Sequence, residues 1–188
     1  MVKPVAPTHD PSSIAVGKTE LNAMISKGRS DPTAIRTLRC RTVARGRLHQ
    51  LNYIRDLPAQ PVMEDEPQGL SGEAVAPNAS EALLAALGSC LAVGIHANAL
   101  AQGILIRVLE LELSADINTT SAWGAGDTTP KTIGFDTIGV SVRLEADAPR
   151  KTLEVLVRHA TLWSPVSNTL HNPVHLDVTL ASEALPAA

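Results

Sequence analysis

The stretch NASEALLAALGSCLAVGIHANAL, Asn78 to Leu100, constrains this chain more than any other, because no Asp, Glu, Lys or Arg lies between Glu81 and Arg107. A helix of that composition offers apolar surface on nearly every side and must be covered by protein or lipid. A spanning helix needs roughly 18 or more apolar residues in a row. Here Gly88, Ser89, Gly94, His96, Asn98, Gln102 and Gly103 interrupt the run, which argues against insertion. Gly103 followed by the β-branched ILIRV marks a helix stop and then a strand. The segment therefore reads as the core helix of a soluble protein, packed on two sides.

With 188 residues the chain has room for one domain. The opening MVKPVAPTHDPSS has no apolar secretory core and reads as a flexible arm. We expect arm and short helix over residues 1–30 and the main domain over 31–188. A formal charge of −3 gives no electrostatic case for nucleic acid or for an anionic membrane. Cys40 and Cys90 are far apart in sequence and form neither a disulfide framework nor a metal-ligand pair. That usage fits the reducing cytoplasm. His159, His171 and His175 lack ligand spacing, and no metal or other cofactor is expected. No strained Gly-x-Ser-x-Gly elbow of a serine hydrolase is present.

Periodicity supplies the other elements. A short helix is expected over Val16–Gly28, and two strands meeting near Gly46 are expected in TAIRTLRCRTVARGRLHQLNYIRD. Arg39, Arg41 and Arg45 share one face of the first strand, expected to be solvated. PVMEDEP suggests a third strand, followed by a turn-rich stretch. After the long helix, Leu109, Leu111 and Leu113 alternate with Glu110 and Glu112 as in a half-buried strand. NTTSAWGAGDTTPKT reads as a mobile connection and FDTIGVSVRLEA as a further strand. APRKTLEVLVRHATLW reads as an amphipathic helix and SPVSNTL as a helical turn with Ser164 as N-cap and Pro165 at its first position. PVHLDVTLAS alternates as a closing strand. The order βββ, long α, ββ, α, β predicts an α+β domain with a largely antiparallel sheet.

On a helical wheel, Leu83, Leu84, Leu87, Leu91, Gly94 and Ile95 form one stripe, with Cys90 at its edge, where it can meet a cleft. The small Ala85, Ala86, Gly88 and Gly94 permit close approach of another backbone, as between protomers. Buried cysteines are usually inert packing residues, so the pattern by itself leaves Cys90 open. Glu81 closes an Asn78-Ala79-Ser80-Glu81 capping box as well as it fits a functional role. His96 lies off the cysteine's side of the helix and reads as a core or interface residue.

DEPQGLSGEAVAPNASEALLAALGSC resembles the signature of the OsmC/Ohr superfamily, osmotically induced and organic hydroperoxide resistance proteins. VSVRLEADAPRKTLEVLVRHA and SPVSNTLHNPVHL resemble the segments that follow it, and the likeness runs from about Arg36 to Leu180. The resemblance implies an intertwined homodimer, a long buried central helix and a hydroperoxide-reducing thiol at Cys90. The family organises that thiol with an arginine and a glutamate. Glu81 lies one residue closer to the cysteine than the family's glutamate, and no arginine occurs between Arg55 and Arg107, where the family's would stand. Arg39 or Arg41 is the topological substitute. In the family a second cysteine resolves the sulfenic acid, but Ser164 holds that place here, and serine cannot form the disulfide. Cys40 is the other thiol available.

These readings lead to an expected cytoplasmic homodimer whose Cys90, with Glu81 and Arg39 as candidate partners, reduces small organic hydroperoxides and is restored by an external thiol. The alternative is a non-catalytic dimeric protein that binds a small apolar ligand beside Cys90. A polyanion on the arginine face is a third, weaker expectation, set against the slightly negative net charge.

Overall fold

The computed structural model describes residues 18–31, 33, 35, 37–45, 48–54, 61–117 and 134–181. The expected arm, the connection that holds Trp123 and the arginine at 55 lie outside these residues. The chain runs α1 (Lys18–Ser30), β1 (Cys40–Arg45), β2 (His49–Ile54), β3 (Val62–Glu64), α2 (Ala79–Ala101), β4 (Ile106–Ile117), β5 (Phe135–Ala146), α3 (Arg150–Trp163) and α4 (Pro165–His171). Strands β1, β2 and β3 form one antiparallel sheet, and β4 with β5 form another. The α+β architecture follows from the order of patterns in the sequence.

Helix α2 is delimited at both ends by chemistry visible in the sequence. Asn78 Oδ1 accepts the Glu81 N–H at 2.9 Å, and Glu81 Oε2 accepts the Asn78 N–H at 2.9 Å. That reciprocal capping box satisfies two donors a helix start would leave unpaired. At the other end Gly103 takes φ 74°, the Gly103 N–H reaches Leu100 O and the Ile104 N–H reaches Ala99 O. These bonds are the glycine-terminated stop expected from Gly103.

The described core is small. Leu87, Leu91, Ile95 and Ala99 of α2 are buried together with Leu156 and Ala160 of α3. Two glycines let neighbours approach. A Cβ at Gly88 would lie 2.9 Å from the Leu113 side chain on β4, and one at Gly94 would lie 3.2 Å from Ala160 Cβ. Both therefore serve packing inside one chain. The opposite face of α2 leaves Ala85, Ala86, Ser89, Val93 and His96 exposed, Val93 at 69%. His96 is thus not a core residue of the single chain. By length and composition α2 could cross a membrane, yet its buried side lies against α3 and β4.

On the paired strands, Leu109 faces Leu144, Leu111 faces Val142 and Leu113 faces Val140. The alternate residues Glu110 and Glu145 bind Arg143 on the exposed side. The arginine face of β1 is not simply solvated: Arg41 is half-buried and its guanidinium sits 4.6 Å from the centroid of Tyr53, its cross-strand partner. A larger departure comes at the carboxyl end. The expected strand from Pro173 forms no ladder through Ala181, and every residue of that stretch is exposed. Val174, Leu176, Val178 and Leu180 are 62%, 80%, 81% and 101% exposed. Alternation in the sequence defines a strand only where a sheet edge is available to pair with it.

The turn that feeds α2 is organised by Asp65, which is 1% exposed. Its Oδ2 accepts the N–H groups of Glu73 and Val75 at 3.0 and 3.2 Å, while Ser71 and Ala74 adopt positive φ. Burial favours the neutral acid, but the Val75 and Glu73 N–H groups, with His49 nearby, hold the carboxyl below its ordinary range. A depressed folded value means that this stabilisation is present above the unfolded carboxyl range, roughly pH 4, and is lost as pH falls through the folded value. Urea titrations from pH 7 to pH 3 should therefore show stability falling on acidification in the wild type, with a smaller fall in Asp65→Asn. At Gly94, Gly94→Leu should force α3 away from α2 and lower unfolding free energy by about 1–3 kcal/mol in urea denaturation.

Candidate functional site

Cys90 is half-buried on α2, one helical turn before Gly94. Ser164, one turn after Ala160, ends α3 and caps α4. Gly94 packs on Ala160, and Cys90 one turn back on α2 meets Ser164 one turn forward on α3, so the two helices run in opposite directions along this seam. The seam thereby brings Cys90 and Ser164 together. Ser164 Oγ donates to Cys90 Sγ at 3.1 Å and accepts the Ser167 N–H at 3.1 Å. Ser164 is 3% exposed. The same hydroxyl that starts α4 therefore contacts the sulfur.

A mostly apolar groove of about 590 Å³ is built on the same helices, with Cys90 and Ser164 outside its lining. Its wall includes Leu87 and Leu91 of α2, Val142 of β5 and Val157 of α3, together with Ser167, whose amide holds Ser164. His171 and Ser80 also reach it. On α3, His159 stacks on Trp163 with ring centroids 6.0 Å apart, and Trp163 is 74% exposed. The groove can hold an apolar molecule, and Cys90 adjoins Leu91 of its wall in sequence.

The other sequence candidates stand elsewhere in this chain. Glu81 is engaged in the capping box, and nine residues along a straight helix separate it from Cys90 by about 13–14 Å. Arg39 is exposed just ahead of β1 and makes no hydrogen bond or ion pair among the described residues. Cys40 opens β1 and is exposed, and both cysteines are free thiols. Among the described residues no group of His, Cys, Asp and Glu is arranged to hold a metal ion. The Ser164 contact itself was not foreseen. Its signal in the sequence was positional, a serine at the place where the resemblance implies a second cysteine.

The model of the family described as OsmC-like protein matches residues 71–179, more than half of the chain and the whole of this site. The chain belongs to the OsmC-like family. Solved structures agree on the fold. An OsmC-like protein from Mycoplasma pneumoniae is 16% identical with TM-score 0.60, the match covering 73% of this chain and 89% of that one. An organic hydroperoxide resistance protein OsmC from Legionella pneumophila is 21% identical with TM-score 0.53, covering 73% and 91%. No curated protein matches the chain. At these identities the structural likeness speaks for the OsmC-like fold alone.

The short Oγ to Sγ distance makes a direct prediction. Replacing Ser164 with cysteine puts a second sulfur within disulfide reach of Cys90. Mild diamide treatment of Ser164→Cys in a Cys40→Ser background should yield an intramolecular disulfide, read by intact mass as the loss of two hydrogens. The Cys40→Ser parent should show no such loss.

Proposed function

We propose that this OsmC-like protein reduces small organic hydroperoxides with Cys90 as the reacting sulfur, in defence against oxidative stress. The observation that carries this reading is the half-buried Cys90 sulfur, hydrogen-bonded by the buried Ser164 hydroxyl, on a helix whose Leu87 and Leu91 line an apolar groove. The Cys90 thiolate attacks one peroxide oxygen, an S–O bond forms, the O–O bond breaks, and the leaving alkoxide takes a proton to become an alcohol. Cys90 is left two electrons oxidised, as a sulfenic acid. Without a cysteine at 164, a first molecule of an external thiol displaces water from the sulfenic acid to give a mixed disulfide. A second thiol then releases Cys90 and departs as a disulfide. The groove suits the organic group of the hydroperoxide. Within one chain Glu81 caps α2 and Arg39 is exposed, so as partners of Cys90 in this proposal they act across the dimer.

The working unit in this proposal is an intertwined homodimer in the cytoplasm, with residues 1–30 as an appended arm and 31–188 as the domain. A small buried core, the bare face of α2 around Val93 and the uncovered Val174–Leu180 stretch support a second copy as their cover. The name of the Legionella protein, organic hydroperoxide resistance, supports the substrate class. A second reading, a dimeric binding protein for a small apolar ligand, is favoured by the same groove and by a sulfur whose described hydrogen-bond partner is neutral.

Stopped-flow oxidation by cumene hydroperoxide, followed with a sulfenate trap, separates the two. The wild type should consume one equivalent and be trapped, while Cys90→Ser should show neither response. Equal behaviour of the two proteins rejects the peroxidase reading and leaves the binding one.

A further inference from the structure

We infer that Ser164 is a positioning residue for the reactive form of Cys90: its buried hydroxyl donates to the sulfur and stabilises the thiolate. The inference rests on the reading of Cys90 as the reacting sulfur and adds the group that makes it reactive. A serine hydroxyl carries one proton and can point it in several directions. Here the Ser167 N–H, at 3.1 Å, takes one of the oxygen's two lone pairs, and Sγ, 3.1 Å away, is the acceptor for its proton. Ser164 as a whole is buried, at 3% exposed. Water therefore competes poorly for its proton.

Such a bond distinguishes the two forms of the sulfur. A thiol is a weak acceptor, whereas a thiolate accepts a charge-assisted hydrogen bond of roughly twice the strength of a neutral one. The contact therefore favours the anion. Cys90 sits in the middle of α2, twelve positions from Asn78, too far from the first turn to gain from the helix macrodipole. A neighbour has to supply the stabilisation, and Ser164 is the described residue whose hydrogen bond reaches the sulfur. Replacing the family's second sulfur with an oxygen thus removes a resolving group and installs an activating one.

The test reads thiolate reactivity directly, without peroxide. In the full-length protein carrying Cys40→Ser, the rate of Cys90 alkylation by iodoacetamide is measured from pH 5 to pH 9.5. Ser164→Gly keeps a residue tolerated at an N-cap and removes the donor. It should slow alkylation at pH 7 by about fivefold to tenfold and move the rise of the profile to higher pH. Ser164→Thr should restore most of the parent profile. Ser164→Asp, which keeps the cap acceptor but adds a negative charge, should shift the profile further upward, and it decides the matter if the glycine variant does not fold. Superimposable profiles for parent, Gly and Asp overturn the inference, as does a threonine variant no better than glycine. A protein that passes this test yet ignores cumene hydroperoxide has an activated thiol with a different substrate, so the two failures are told apart.

Discussion

The contact between Gly94 and Ala160 is the constraint on which the site depends. With no side chain on one partner and a methyl on the other, α2 and α3 come close enough for a cysteine one turn away to touch a serine one turn away. A larger residue at either place widens the seam along its whole length, because packed helices shift as rigid pieces. Leu156 and Ile95, among the most deeply buried side chains described, hold the same seam from either side of the contact. Thiol geometry in this fold is thus a product of helix packing, and the loops contribute only the ends of the helices.

A second layer of order lies at the helix starts. Asp65 gathers the backbone of the turn that precedes α2, and Asn78 with Glu81 fixes where the helix begins. Ser164 does the same for α4. Each of these residues is polar and tied to backbone amides, so each trades side-chain freedom for a defined chain direction. Glu81 illustrates how one residue type supports two readings, since a carboxylate early in a helix is equally at home as a cap and as a catalytic group.

Most of the element order was legible in the sequence because it depends on local rules. The alternation of Leu109, Leu111 and Leu113, the Gly103 stop, the Asn78 box and the Ser164-Pro165 start all act within a few residues. What could not be read locally was tertiary. Gly88 and Gly94 look alike in the sequence, but only the fold assigns one to β4 and the other to α3. Arg41 appeared to belong to a solvated face until Tyr53 was placed opposite it across the strand pair. The stretch after Pro173 has a strand's alternation and no partner in its own chain, and no local pattern encodes where a partner lies. Cys90 was found by its place on a wheel together with the family's signature; the hydroxyl beside it needed three helices to be set in space.

The double duty of Ser164 has a consequence for how such sites change. A cysteine at that position gains a disulfide route and forfeits an oxygen that begins a helix, a loss of about 1 kcal/mol for a typical N-cap. The reduced protein would then hold its last helix less firmly, and the oxidised protein would recover that order through the covalent bond. Oxygen at 164 couples rigidity to the resting state, whereas sulfur couples it to the spent one. A single-atom exchange therefore decides which half of a redox cycle is the stiffer.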